Sequence, residues 1–171
     1  MKNLVTAIAV VFCLGTAMSQ QKIGHVNSQK LLDTLPSRKA AIEQLKVFEA
    51  NGVNELKEME EDFQKQVAVY EKSRPTMSPV IIKIEEEKLM KKQQSLEERQ
   101  QSLNSEMQAV SQELNKPILE RVQKAVEVVS DRKKLSYVID ESVTLYFKGG
   151  LDITSEVVVE LLRMDAEAMK K

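Results

Sequence analysis

Apolar residues at helical spacing fill the middle of the chain and predict two long helices. Between Pro36 and Pro117 the sequence has one glycine, Gly52, and is rich in Glu, Lys, Gln, Leu and Met, which are strong helix formers. The stretch SRPTMSP at residues 73–79 interrupts this region with two prolines, which is a turn signal. We therefore predict an α-helical hairpin arm over residues 37–116, with its tip near residues 73–79.

The apolar positions of the two predicted helices match when residues i and j face each other with i + j at about 153. This register pairs Phe63 with Met90, Leu56 with Leu96, and Ile42 with Val110. It also places the acids between residues 58 and 62 opposite Lys91, Lys92 and Arg99. On the second helix one row falls at Leu89, Leu96, Leu103 and Val110, and a second row is predicted at Gln93, Gln100, Met107 and Leu114. Apolar positions and charges agree on an antiparallel coiled coil.

Beyond Pro117 the pattern predicts that the chain enters a small body made of residues 20–36 and 117–171. The second helix continues with an apolar stripe at Ile118, Val122, Ala125, Val126 and Val129. Short apolar stretches predict strands at residues 23–27, 137–140 and 144–147, and a last amphipathic helix is predicted at 155–169. Candidates for the body or oligomer core are Ile23, Val26, Val138, Ile139, Leu145 and Phe147.

The predicted fold is thus mainly α, with a small β-containing body that carries the arm. So small a body buries little core, and three strands leave exposed sheet edges. We therefore expect several copies to associate through their bodies, in a number that the residue pattern does not give.

The segment YFKGGLDITSEVV at residues 146–158 resembles a loop that binds phosphate or a metal ion. It lacks the lysine and the spacing of a P-loop, and Asp152 is the only acid in its Gly-rich part, so a calcium loop is not formed. A structural hinge explains it better: Gly149 and Gly150 allow a tight reversal with positive φ, and Thr154 is predicted to cap the last helix.

The N-terminus has the pattern of an export signal. Lys2 is followed by an apolar run from Leu4 to Ala17 that is too short for a comfortable membrane span, and we predict cleavage after Ser19. A retained membrane anchor is the alternative. Cleavage would remove Cys13, the only cysteine, and would leave a periplasmic protein without disulfides.

Charge and side-chain chemistry argue against several function classes. The chain has 25 basic and 26 acidic residues, whereas nucleic-acid binders are usually basic. His25 is the only histidine, which excludes a two-histidine metal site, and packing or an interface role is favoured for it over catalysis. Consecutive helical residues at Glu85–Glu87 point in different directions and do not converge on one ion. We predict no enzyme activity, no cofactor and no metal.

Three segments resemble the Skp (OmpH-like) periplasmic chaperone family. They are KIGHVNSQKLLDTLP at residues 22–36, NKPILERVQKAVEVVSDRKKLSYVIDES at 115–142, and LYFKGGLDITSEVVVELL at 145–162. The resemblance implies a jellyfish-like homotrimer whose three helical arms enclose a cavity. It also implies an ATP-independent holdase that keeps unfolded outer-membrane proteins soluble.

The chain departs from the resemblance in its charge, because well-known members of that family are strongly basic. Residues 72–92 form a basic tip that is a candidate for transient contact with anionic lipid, or whose lysines pair with the acidic first helix. Apolar contacts with clients are assigned to Met59, Met77, Met90 and Met107, although Met59 and Met107 are equally suited to filling the coiled coil. The alternative function is a structural or adaptor coiled coil of the cell envelope.

Overall fold

The computed structural model describes residues 22–170. Its strands are β1 (Ile23–Val26), β2 (Tyr137–Asp140) and β3 (Leu151–Asp152), and its helices are α1 (Ser28–Thr34), α2 (Pro36–Ser73), α3 (Pro79–Lys133) and α4 (Thr154–Ala168). Short 3-10 turns lie at Arg74–Thr76 and Glu141–Val143. The predicted signal peptide and its cleavage site fall outside the described residues. Within them, no helix combines the length and the apolar character needed to cross a membrane.

Helices α2 and α3 form the predicted antiparallel hairpin. Pro36 opens α2 in its first turn, where a missing backbone N–H costs nothing. Ser78 caps α3, since its hydroxyl accepts a hydrogen bond from the amide of Ile81 at 3.4 Å. At 1.5 Å per residue, the 38 residues of α2 extend about 57 Å. The arm is therefore longer than a small globular domain is wide.

Helix α3 runs without interruption from the arm into the body. Pro117 lies inside it, where the ring removes one backbone donor and crowds the preceding turn. The helix ends at Lys133, and Lys134 adopts a left-handed conformation with φ of 56°. One 55-residue helix thus belongs both to the arm and to the body.

The body contains a parallel three-stranded sheet in the order β2-β1-β3. The strands predicted at 23–27 and 137–140 are present, but the strand predicted at 144–147 is wrong. Among residues 22–170 this segment has no neighbouring strand to pair with, and its Leu145 is fully exposed. The third strand is instead the two-residue β3, in which Leu151 pairs with Gly24 and Asp152 with His25.

The core lies between one face of the sheet, α1, the body half of α3, and α4. Its buried apolar members are Val26, Leu31, Leu35, Ala41, Ile118, Ala125, Val129, Ile153, Val157 and Leu161. The stripe predicted on α3 is confirmed, because Ile118, Ala125 and Val129 are buried while Val122 and Val126 pack against the same cluster. The opposite face of the sheet carries Ile23, Tyr137 and Ile139, all substantially exposed.

A buried carboxylate joins the arm to the body. Asp165 of α4 is 1% exposed, and it accepts a hydrogen bond from the amide of Ser37 at 3.0 Å, at the start of α2. Its other oxygen lies 3.2 Å from the guanidinium of Arg121 on α3, which also donates to the Ser37 hydroxyl at 3.0 Å. Three helices therefore meet at one charged contact, which fixes where the arm leaves the body.

Candidate functional site

The arm is held together along a seam, meaning the positions at which α2 and α3 face each other. Its tightest contact is at Gly52, where a Cβ atom would stand 2.3 Å from Leu103 Cδ1. Leu103 is 5% exposed and is the most buried residue of the arm half of α3. Glycine is needed at residue 52 because Leu103 occupies the space that a side chain would fill. The sequence showed Gly52 only as the sole glycine of the arm.

The second row of the seam on α3 is charged, which corrects the predicted row that contains Gln93 and Gln100. Those glutamines are exposed, and the half-buried positions of this row are Glu85, Lys92, Arg99 and Glu106. The observed cross-arm pairs differ from the predicted register by one to three residues, while the predicted row at Leu89, Leu96, Leu103 and Val110 is buried or half-buried. Long basic side chains fit the charged row because their stems pack while the charge stays at the edge.

Arg99 is the main polar contact between the two helices of the arm. It makes two hydrogen bonds to Glu55, of 3.0 and 2.8 Å, and one of 3.1 Å to Glu106. The hydrogen bonds from Arg99 lower the pKa of the Glu55 carboxyl, and Glu55 in turn raises the pKa of Arg99. Closer to the tip, Lys92 pairs with Asp62. These pairs fix the register of the hairpin.

The tip carries both hydrogen-bonded and free basic groups. The Tyr70 hydroxyl donates to Glu86 at 2.6 Å, which raises the pKa of the tyrosine, and Arg74 lies 3.8 Å from the same carboxylate. Of the basic tip residues, only Lys92 pairs with an acid of α2. Among residues 22–170, the lysines of the tip region that form no ion pair are Lys72, Lys83 and Lys91. Pairing across the hairpin thus neutralises only a small part of the basic tip.

The four methionines proposed for client contact occupy different environments. Met59 and Met107 are half-buried at or beside the seam, and Met77 is half-buried at the tip. Met90 is 63% exposed and points away from α2, so its predicted pairing with Phe63 is not formed in the seam. Only Met90 presents most of its thioether side chain to solvent.

Exposed valine and isoleucine side chains on the arm were missed by the sequence reasoning. More than two fifths of each is accessible at Val47, Val53, Val69, Val80, Ile81 and Ile84. The sequence pattern that could have revealed them is the occurrence of apolar residues outside the seam positions of the heptads. A coiled coil does not need apolar residues at those positions for its own stability. Together with Met90 they give the arm scattered apolar contact points along its length.

The body also exposes apolar residues, and they include several of the predicted core candidates. Val26 is buried and Val138 is packed against the core, but Ile23, Ile139 and Phe147 are each more than two fifths exposed. Leu145 projects fully into solvent. In a single copy, the open sheet face and residues 143–147 therefore form one uncovered apolar surface.

The glycine-rich loop is the reversal that the sequence predicts, with one correction. Gly149 and Gly150 have φ of 105° and 99°, in the region that glycine tolerates. Thr154 does not cap α4: the Asp152 carboxylate accepts from the Thr154 amide at 2.8 Å, which lowers the pKa of Asp152. The Thr154 hydroxyl instead accepts from the amide of Asn27 at 3.1 Å, because β1 and the start of α4 lie side by side.

Comparisons with known proteins agree with this architecture. A family model described as Outer membrane protein (OmpH-like) matches residues 22–161. Chaperone protein Skp of Photorhabdus laumondii is 30% identical over 166 residues, and Chaperone protein Skp of Yersinia pseudotuberculosis is 35% identical over 164. Each alignment covers 94% of this chain and 99% of the relative. A crystal structure from Caulobacter crescentus, described as OmpH-like, matches with a TM-score of 0.73 at 18% identity over 86% of this chain and 85% of that one, which is a likeness of fold.

Proposed function

Because this chain belongs to the family described as Outer membrane protein (OmpH-like), and the relatives reported above are named as chaperones, we propose that it is an ATP-independent periplasmic holdase. Its clients would be unfolded outer-membrane β-barrel proteins. The observation that carries the proposal is the arm itself: two long helices whose seam has one apolar row and one charge-paired row, with further apolar side chains turned outward to solvent. Many weak contacts of this kind suit a partner without fixed structure.

Assembly into a homotrimer would turn separate arms into a cavity. The support is the uncovered apolar surface of the body, since an open sheet face beside an exposed segment such as 143–147 is typical of an interface between copies. Ile23, Ile139, Leu145 and Phe147 would then be covered by neighbouring copies. Three bodies joined in this way would direct three arms to the same side.

Suppression of aggregation tests the holdase proposal. An unfolded outer-membrane β-barrel protein is diluted from urea into buffer with a stoichiometric excess of the mature chain, and light scattering is followed. We expect scattering to fall strongly, and the effect to weaken when apolar arm residues are replaced by serine at Val47, Val53, Val69 and Val80. The matched control makes the same replacement by serine at four exposed polar arm residues, Gln100, Gln101, Gln108 and Gln112. Unchanged scattering with the wild-type protein would favour the adaptor alternative.

Contact with anionic lipid is proposed for the arm tip. The unpaired Lys72, Lys83 and Lys91 belong to the same tip region as the exposed Val80 and Ile84, and a segment with both basic and apolar groups suits the surface of an anionic membrane. Co-sedimentation with vesicles should depend on the anionic lipid fraction and should decrease when the three lysines become glutamine. Equal sedimentation with neutral vesicles would contradict the proposal.

A further inference from the structure

Three metal-ligating side chains meet at the carboxyl ends of the three strands. His25 lies in β1, Glu141 directly follows β2, and Asp152 ends β3. One donor atom from each lies within 4.8 Å of the others. Parallel strands bring their carboxyl ends to the same edge of a sheet, so the fold itself gathers residues that are far apart in sequence. No spacing rule links positions 25, 141 and 152, so the group is not recognisable from the sequence alone.

Each carboxylate uses one oxygen for a contact with the protein, and one oxygen of each lies within 4.8 Å of a histidine ring nitrogen. Glu141 Oε2 accepts from the Asn27 side-chain amide at 2.9 Å, while Oε1 lies 2.7 Å from His25 Nδ1. Asp152 Oδ1 accepts from the Thr154 amide at 2.8 Å. Such outer contacts orient the ligands of protein metal sites.

The surroundings favour a cation. His25 and Glu141 are mostly buried, with side-chain exposures of 16% and 21%, and the Phe147 ring lies 4.9 Å from the imidazole ring between their centroids. The carboxylates of Glu141 and of the exposed Asp152 bring negative charge to the group. Two exposed lysines lie close to the group: Lys148 lines the adjoining cavity, and Lys30 acts electrostatically on Asp152.

We propose that His25, Glu141 and Asp152 form a binding site for a divalent transition-metal ion of the zinc class. Imidazole nitrogen and carboxylate oxygen are both zinc ligands, and water can complete a four-coordinate shell around three protein ligands. Ligand atoms about 2.1 Å from a tetrahedral ion lie about 3.4 Å apart, so the present spacing requires only small side-chain rotations. The ion would join all three strands at the edge of the body's exposed apolar surface.

Calorimetric titration with Zn²⁺ tests the site in the assembled, untagged mature protein after treatment with EDTA. We expect one ion per chain, and at least a tenfold weaker affinity in His25→Ala, Glu141→Gln and Asp152→Asn. The matched control is Glu113→Gln, an exposed carboxylate on α3, which should bind as the wild type does. The side-chain oxygen of Asn27 caps α1 by accepting a hydrogen bond from the Lys30 amide at 3.0 Å. Asn27→Ser keeps a capping oxygen but lacks the amide donor to Glu141, and should lose about 10- to 100-fold in affinity through misorientation of Glu141.

A second measurement does not depend on variants. His25 is the only histidine, so the imidazole ¹⁵N resonances of the protein report on this site alone. Zn²⁺ should shift them in proportion to occupancy. The proposal is overturned if no Zn²⁺ binds, if binding leaves the imidazole resonances unmoved, or if folded His25→Ala binds with wild-type affinity.

Discussion

The contact between Gly52 and Leu103 gives the sharpest test of how the arm is held together. Replacing Gly52 with valine in an ordinary exposed helix would stabilise it by about 0.4 kcal/mol, because valine has the higher helix propensity. Here the first added carbon would stand 2.3 Å from Leu103 Cδ1, 2.8 Å from Cδ2 and 3.1 Å from Cγ. The whole leucine side chain must therefore move, and overpacking of this kind costs about 1–3 kcal/mol. We expect Gly52→Val to lower the free energy of unfolding of the arm by about 2 kcal/mol.

The assay is urea denaturation followed by far-UV circular dichroism, with amide hydrogen exchange locating the loss in residues 45–60 and 96–110. The matched control is Asn51→Val on the exposed neighbouring position, which should change stability by less than about 0.5 kcal/mol. Leu103→Ala alone should cost about 2 kcal/mol or more. In the double variant the valine fills the space left by the leucine. The loss of stability in the double variant should therefore be smaller than the sum of the two single losses by at least about 1 kcal/mol. A stabilising effect of Gly52→Val, or strict additivity, would refute the reasoning.

Three further predictions concern the body. Asp165→Ala removes the buried partner of the arm base and should cost about 3–5 kcal/mol in urea denaturation, whereas Glu167→Gln at an exposed ion pair should cost less than about 0.5 kcal/mol. The pKa of Asp152 in the folded chain lies below its ordinary value of 3.8. The ionised carboxylate therefore stabilises the fold fully at pH values well above 3.8, and this stabilisation is lost as the pH falls through the pKa of the folded state. Asp152→Asn should flatten the decline of the urea midpoint between about pH 6 and pH 3. Leu145→Asp should reduce the mass of the assembled protein measured by light scattering, while Val159→Asp on the exposed side of α4 should leave this mass unchanged. The reverse result would place the interface between copies on α4.

The arm could be predicted from sequence because helix formers, prolines and seven-residue spacing are local signals. Its fine register could not, since a shift of one residue rotates a helical position by about 100°. The predicted row therefore contained Gln93 and Gln100, whereas Lys92 and Arg99 occupy the seam. Basic residues with long aliphatic stems are poorly recognised as interface residues by hydrophobicity alone.

In the body, the sequence predicted the stripe on α3 and two of the strands, but it assigned the third strand to the wrong segment. Residues 144–147 are rich in strand-forming side chains, yet a strand also requires a partner in reach, and none lies beside them in the described part of one chain. The actual third strand has two residues and therefore no periodicity to detect. The cluster of His25, Glu141 and Asp152 depends on that strand and was invisible for the same reason.

Pro117 lies in α3 at the edge of the body, where a bend would move the whole arm half of the helix. Roughly 38 residues, or about 57 Å of helix, lie between this proline and the start of α3 at the tip. A bend of only about 10° at the weakened turn would displace the far end by about 10 Å. A small reorientation at one residue would thus change the opening between neighbouring arms far more than the rearrangement of any side chain along them.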